Sequence, residues 1–514
     1  MRISQGLKRA AQVEARKTAL IDGSVRQSWS ETQDRVARLA SAFQGMGVGN
    51  DDRVAVLAMN GFRYYEVIYA SMWAGGAVVP LNIRLAPPEI DYILGDSRPQ
   101  VLCIDHNFVD FLPKLTALGQ IGEVIFMGEG EAPAGTRSYE AVMAAHAPVD
   151  AADRSGADMA GIYYTGGTTG PAKGVILSHG NLVTNAFDVA QALHYTRDCS
   201  YLHAAPAFHT SDACSTYGLT MLAGQHVFMP RFEVDAFCRI VAAEAVTNTT
   251  MVPTMLGMLV DHPAAKAADL SALKRILVGG SSMPERTIRK ALELMPGIRM
   301  HQAWGMTELS PIASVTQAKY ATLDGPFAGK LLSCGQAVSS IELRIVAENG
   351  SEQPRGEVGE LTARGPTVMQ GYWNKPEETA AALRNGWLHS GDAAYMDEDG
   401  FVFIVDRIKD MIVTGGENVY CAEVENVLSL LDGIAACAVI GLPDPTYGEQ
   451  VHAVLVPKPG AELDLNAIRA ACREKIAGYK VPRGFTLRTE PLPLSGAGKV
   501  LKSDLKKEVM AGLD

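Results

Sequence analysis

Thirteen residues, Tyr163–Val175 (YYTGGTTGPAKGV), gather the groups that binding a polyphosphate needs. Gly166, Gly167, Gly170 and Gly174 let the backbone curl tightly against a ligand. Thr165, Thr168 and Thr169 supply hydroxyls for anionic oxygens. Lys173 adds one compact positive charge. Exposed backbone N–H groups and an ammonium together offset phosphate charge. The segment is not the phosphate loop in which Gly-Lys-Ser/Thr opens a helix, because Gly174 follows Lys173. Its flanks, Gly161–Thr165 and Val175–Ser178, read as strands, so the loop is expected to join strand to strand.

Three further groups could serve the same ligand. In Trp304–Glu308, Thr307 can hydrogen-bond a phosphate oxygen, and Glu308 offers a hard carboxylate suited to Mg²⁺. Trp304 presents a flat face on which adenine could stack. The plain alternative is a helix N-terminus with Thr and Glu near its dipole. Asp392, in Ser390-Gly391-Asp392, can accept both hydroxyl protons of a ribose, and Arg407 can donate to the same sugar. A salt bridge between domains would use the same two residues. Lys499 ends the glycine-rich stretch Ser495–Lys499, where a flexible ammonium could neutralise charge that develops during attack on an α-phosphate. The sequence distance between Lys173 and Lys499 then requires a domain to close.

The Tyr163–Val175 loop resembles the phosphate-binding signature of the adenylate-forming superfamily, which comprises acyl-CoA synthetases, amino-acid adenylation domains and beetle luciferases. Seven further segments occur in the family's order: Pro206–His209, Gly279–Ser282, Trp304–Glu308, Gly386–Asp392, Asp406–Asp410, Gly415–Asn418 and Pro493–Lys499. Together they span nearly the whole chain. The resemblance implies that Thr165–Gly170, Lys173, Gly280, Ser281, Ala303, Trp304, Gly305, Thr307, Asp392, Arg407 and Lys499 form the ATP/AMP site. Lys499, Lys173, Glu308 and Thr165 are then its catalytic groups, and Glu308 the Mg²⁺ ligand. It also implies an acyl pocket of His209, Thr210, Ser211, Met255, Gly280, Gly305, Met306 and Ile312, with Ser281 and Ala303 beside it. Gly415, Gly416 and Glu417 would face CoA, and Lys409 would be the hinge. Lys480 and Arg483 could meet CoA phosphates or form a solvated basic face. Amino-acid adenylation domains carry Asp at the place of His209, which argues against an α-amino-acid substrate. Trp304 stands where the family usually has Tyr, Cys421 replaces a common Pro, and Gly329–Ala337 matches its glycine-rich segment only loosely.

The elements that must carry these groups follow from patterning. Runs Arg53–Met59, Ala77–Leu81 and Gln100–Ile104 read as strands, with helices at Tyr64–Trp73 and Pro88–Leu94 between them. The alternation recurs at Asn181–Leu193 (helix), Gln225–Met229 (strand) and Phe232–Ala243 (helix). It predicts an α/β fold of parallel-rich sheets covered by helices, to which the resemblance adds a small β-barrel-like part. After Phe401–Val405, a strand, the charged connector Asp406–Asp410 leads into strand Met411–Val413, helix Cys421–Leu431, strands Ala436–Ile440 and His452–Val456, and helix Leu465–Lys475. That is a small, compact α+β unit, which the resemblance implies is mobile, so residues 1–408 and 409–514 are taken as two domains.

The 514-residue chain is too long for one core. Its 47% hydrophobic and 20% charged residues are those of a globular protein. A net charge of -11 argues against a nucleic-acid partner. Eight scattered cysteines without a CxxC indicate free thiols rather than a zinc site or redox pair. The N-terminus lacks the apolar stretch of a signal peptide, and Tyr64–Leu81, which contains Glu66 and Gly75-Gly76, reads as buried core rather than a membrane span. The expected setting is the cytoplasm, with a homodimer as the candidate assembly.

These readings converge on an AMP-forming carboxylic acid–CoA ligase. A carboxylate is a poor acyl donor. Condensation with the α-phosphate of ATP gives an acyl-adenylate whose leaving group is AMP, and the CoA thiolate then attacks it. The resemblance is strongest to the fatty-acyl-CoA synthetase branch, with aryl- or cinnamate-type ligases next. The mostly apolar pocket holds no Arg suited to a second carboxylate. Rival readings are an adenylase that loads a carrier protein and a silent nucleotide- or acyl-sensing protein. The second is disfavoured by the presence of Glu308 and Lys499.

Overall fold

Hydrophobic strands buried on both faces build the scaffold. The computed structural model describes residues 1–165, 171–281, 283–322, 324–494 and 500–512. Among these residues the strands form four sheets, of nine, eight, five and five strands. The eight-stranded sheet has a parallel centre: Ala77–Pro80, Arg53–Leu57, Val101–Ile104 and Glu123–Phe126 run side by side. Its other flank turns antiparallel, where Met159–Thr165 pairs with Lys173–Ser178, and that strand with Gly371–Tyr372. The expected strand-to-strand connection around the glycine-rich loop is therefore a hairpin, with Thr165 opposite Lys173. Gly166, Gly167, Thr168, Thr169 and Gly170 lie outside the described residues.

The nine-stranded sheet positions the rest. Gln225–Phe228, Ser200–His203, Asn248–Met251, Arg275–Gly279 and Arg299–Gly305 are parallel neighbours in that order. Their registers bring Met251 beside Val278 and Gly279 beside Ala303. The carboxyl ends of these strands thus form one rim, the usual place for ligands in α/β sheets. Helices cover the faces. Phe62–Ala74, one of them, is buried from Tyr64 to Ala74. Its Glu66 is wholly buried and bonded by Arg35 (2.6 Å), Gln27 (3.0 Å) and the Tyr139 hydroxyl (2.7 Å). That pairing compensates a charge that would be costly alone.

Two smaller sheets follow. Glu342–Val346, Gly359–Arg364, Trp387–Met396, Leu383–Arg384 and Val402–Arg407 make a five-stranded antiparallel sheet. Beyond it, Ile412–Thr414, Glu417–Val419, Ile434–Asp444, Gly448–Pro457 and Gly484–Leu487 form the C-terminal sheet. With helices Cys421–Ser429, Leu465–Lys475 and Lys502–Ala511 it gives the α+β domain its own apolar clusters. Six of the eight cysteines are buried and all eight are free. No helix among the described residues is long and apolar enough to cross a membrane.

One glycine is dictated by the rim itself. Strand Arg299–Gly305 shifts register against Ile312–Val315 between Trp304 and Gly305, and Met306 N–H then donates to Pro311 carbonyl at 2.9 Å. A Cβ on Gly305 would lie 1.9 Å from that carbonyl oxygen. Gly305→Ala should therefore cost about 2–4 kcal/mol and lower the thermal unfolding midpoint. Gly257→Ala, in helix Pro253–Asp261 with nothing near the added Cβ, should gain about 0.5–1 kcal/mol. An unchanged midpoint for Gly305→Ala would contradict the close approach.

Candidate active site

The rim of the nine-stranded sheet collects most of the predicted residues. Strand Ser200–His203 leads into the loop ending at His209, which precedes helix Thr210–Met221. Asn60 clamps that loop: its amide donates to the carbonyls of His203 (3.0 Å) and Ala205 (2.8 Å) and accepts from Ala207 N–H (2.8 Å). The helix is tied down by Asp212, whose carboxylate meets His203 Nδ1 at 2.6 Å and the Tyr201 hydroxyl at 3.1 Å. His203 Nε2 in turn meets His226 Nδ1 at 2.9 Å, and burial together with His203 pushes the His226 imidazole well down. His209 is half-buried with its ring against Phe208. Thr210 is buried, and its hydroxyl lies 3.4 Å from that of Thr307. Met255, Ile312 and half-buried Ser211, Ala303, Gly305 and Met306 sit on the same set of strand ends, while Gly280 and Ser281 are exposed on the rim. Gly280 has φ +91°, a conformation that suits glycine.

Asp392 is the best-supported carboxylate of the site. It is 5% exposed. Trp304 Nε1 donates to its Oδ2 at 2.7 Å, and Arg407 Nε meets Oδ1 at 2.7 Å. Asp392 and Arg407 are opposite each other on strands Trp387–Met396 and Val402–Arg407, so the ion pair is a cross-strand pair within one sheet. It is not the interdomain bridge weighed from sequence. Trp304 is itself 7% exposed. Its main visible role is to orient Asp392, and little of the expected stacking face reaches solvent in this conformation.

Glu308 and Lys173 meet through a residue the sequence reading missed. The Tyr372 hydroxyl donates to Glu308 Oε1 at 2.8 Å, and Lys173 Nζ sits 5.1 Å from the centre of the same ring. Burial, then the nearby Glu308 carboxylate, push the Tyr372 phenol up. Thr165 Oγ1 donates to Lys173 carbonyl at 3.4 Å. Nothing in the local pattern Gly371-Tyr372-Trp373 marks this tyrosine, because its polar partner is 64 residues away. Asn60 and Asp212 escaped for the same reason. Glu308 is 7% exposed, and a single hard carboxylate fits Mg²⁺, which takes few protein ligands and keeps phosphate and water oxygens. Among the described residues no cluster of three His, Cys, Asp or Glu could cage a metal alone.

The connector grips both domains. Arg407 turns toward Asp392, while its neighbour Asp406 is buried and accepts the Cys421 N–H at 2.5 Å. A Pro at 421 could not make that bond. Burial pushes the Asp406 carboxyl up, against the pull of Lys502 and the Cys421 N–H. Lys502 pairs with Glu425 at 2.8 Å. Lys409 is exposed on the connector. Gly415 and Gly416, both at positive φ, make the exposed turn between Ile412–Thr414 and Glu417–Val419, and Gly415 N–H donates to Tyr447 carbonyl at 2.8 Å. Lys480 pairs with Glu423 at 2.7 Å, and Arg483 stacks 3.7 Å over the Tyr447 ring. Lys499 lies outside the described residues.

The family described as AMP-binding enzymes matches residues 7–373, and the C-terminal domain of such enzymes matches residues 423–499. A feruloyl-CoA synthase of Amycolatopsis is 38% identical over 507 residues, covering 97% of each chain. A long-chain-fatty-acid–CoA ligase of Salmonella typhimurium is 31% identical over 510 residues, 92% of this chain and 88% of its own. The ATP-bound structure of MatB from Rhodopseudomonas palustris superposes with a TM-score of 0.90 at 28% identity over 100% of both chains.

The Trp304 N–H should contribute through Asp392 alone. Trp304→Phe is expected to cost about 1–3 kcal/mol of stability by stripping a donor from a buried carboxylate. The same change in an Asp392→Asn background should cost measurably less. Equal costs in the two backgrounds, read from unfolding curves, would show that the bond carries no stability.

Proposed function

The chain belongs to the AMP-binding enzyme family as an AMP-forming acid–CoA ligase, and from that premise we propose that its acid is aromatic, of the aryl or cinnamate type. The observation that carries this reading is the 38% identity to a feruloyl-CoA synthase across 97% of both chains, against 31% for a long-chain-fatty-acid ligase. The fatty-acid reading drawn from sequence takes second place. The pocket side chains support a flat apolar acid with one or two polar edges. Met255, Met306 and Ile312 are apolar, while His209, Thr210 and Ser211 supply polar atoms on one wall.

In the first half-reaction an acid oxygen attacks the α-phosphorus of ATP, and the bond to pyrophosphate breaks. Asp392 holds the ribose, with Trp304 and Arg407 fixing both its oxygens. Thr165–Gly170 and Lys173 hold the phosphates, and Lys499 approaches the α-phosphate as charge spreads over it. Glu308 would hold Mg²⁺, which supplies charge neutralisation on the phosphates. Gly280, Ser281, Ala303, Gly305 and Thr307 line the nucleotide and the carboxylate, so most of the acceleration comes from positioning.

In the second half-reaction the CoA thiolate attacks the adenylate carbonyl and AMP leaves. Residues 1–408 and 409–514 act as two bodies hinged at Lys409. Pivoting withdraws Lys499 and presents Gly415, Gly416 and Glu417 to the thiol. The grip of Asp406 on Cys421 supports a defined resting orientation, since the connector is bonded on both sides.

Pyrophosphate release with ATP and Mg²⁺, measured over benzoates, cinnamates and fatty acids with and without CoA, tests this reading. Sustained turnover needing both CoA and a cinnamate- or benzoate-type acid is expected. A highest kcat/KM for a fatty acid would overturn the aryl assignment, and stalling despite CoA would indicate a carrier-protein acceptor. Lys499→Ala should reduce acid-dependent pyrophosphate exchange by about a hundredfold or more and spare the thioester step from supplied acyl-adenylate. Equal loss of both steps would remove the adenylation role.

A further inference from the structure

Tyr372 is held from several sides before its side chain does anything. It sits on the short edge strand Gly371–Tyr372, opposite Val175 on the strand that begins at Lys173. Backbone bonds bracket it: Gln370 N–H to Ile176 carbonyl (3.0 Å) and Trp373 N–H to Gly174 carbonyl (2.7 Å). Its own N–H donates to Thr379 Oγ1 at 2.9 Å. On the other side Met369 N–H donates to the Glu308 carbonyl at 2.8 Å. The segment is therefore stitched both to the strand of Lys173 and to the backbone of Glu308, and the ring has little freedom to move.

That fixed ring serves two opposite charges. Its face receives the Lys173 ammonium, a cation–π contact. Its hydroxyl donates a hydrogen bond to one oxygen of Glu308. An ammonium and a carboxylate that share one side chain as partner attract each other and would pair if they met. Among the described residues no ion pair joins them; each rests instead on a neutral partner. We propose that Tyr372 is a positioning residue that holds Lys173 and Glu308 apart, so that the ammonium stays available to polyphosphate and the second carboxylate oxygen to a divalent cation. This rests on the roles given to Lys173 and Glu308 above, and it adds to them the residue that keeps the two from pairing with each other. Phenylalanine at 372 would keep the face for Lys173 and release Glu308. An aliphatic side chain would release both.

The test separates the two contacts by binding rather than turnover. Mn²⁺ binding to the ATP-loaded protein is followed by electron paramagnetic resonance, and ATP binding without divalent cation by calorimetry, for wild type, Tyr372→Phe, Tyr372→Leu and Glu308→Gln. Tyr372→Phe should weaken Mn²⁺ binding by about tenfold, the loss of one hydrogen bond to a charged group, with metal-free ATP binding unchanged. Tyr372→Leu should weaken both. A purely structural role would lower both together in Tyr372→Phe as well, and that result overturns the proposal. Wild-type Mn²⁺ binding by Tyr372→Phe alongside a loss in Glu308→Gln also overturns it and leaves the role of Glu308 standing. Wild-type Mn²⁺ binding by Glu308→Gln would overturn the metal role of Glu308 first, and the proposal with it.

Discussion

One buried carboxylate ties the parts of this enzyme together. Asp392 belongs to the antiparallel sheet, yet one of its oxygens is held by Trp304 at the rim of the nine-stranded sheet and the other by Arg407 on the connector. A carboxylate with so little access to water needs such donors to offset the cost of burying it. The two sheets and the connector must therefore meet at this point. The residue next to Arg407 looks the opposite way: Asp406 accepts the Cys421 N–H in the C-terminal domain. Alternation along one strand thus sends Arg407 to Asp392 and its neighbour Asp406 to the first residue of helix Cys421–Ser429.

The rest of the site follows from strand ends and from charges kept apart. Parallel strands in register deliver His209, Met255, Gly280 and Ala303–Glu308 to one rim, the edge at which α/β sheets usually bind ligands. The eight-stranded sheet brings Thr165 and Lys173 across its hairpin, and the edge strand at Tyr372 joins them to Glu308. An acid–CoA ligase needs positive and negative groups near the same phosphates. In the function proposed above Lys173 and Glu308 would supply both, with Tyr372 between them.

Much of this could be read from the chain, and the remainder could not for physical reasons. Strands Val101–Ile104 and Gln225–Phe228 and helices Val234–Ala243 and Leu465–Lys475 fall close to where hydrophobic period and helix-ending residues place them. Glu308, Asp392 and Lys173 were singled out by motif order, because their residue types carry the chemistry proposed for them. Tyr372, Asn60 and Asp212 were not, since their meaning lies in partners distant along the chain: Asn60 bonds carbonyls 143 and 145 residues away. The hydrogen bond of Trp304 was hidden for a related reason. Its ring suggests stacking, but its N–H has a buried acceptor contributed by another sheet. Acid identity is less visible still, because Met255, Met306 and Ile312 suit many apolar acids.

An acyl-adenylate formed at this one site is the intermediate on which both proposed half-reactions depend. The decisive measurement follows oxygen: a cinnamate-type acid labelled with ¹⁸O in both carboxylate positions is turned over with ATP and CoA, and the products are analysed by mass. Attack by the carboxylate on the α-phosphorus predicts one ¹⁸O in AMP and the other in the thioester carbonyl. Unlabelled AMP, or label in inorganic phosphate, would contradict an adenylate intermediate and the assignment of the site built around Asp392.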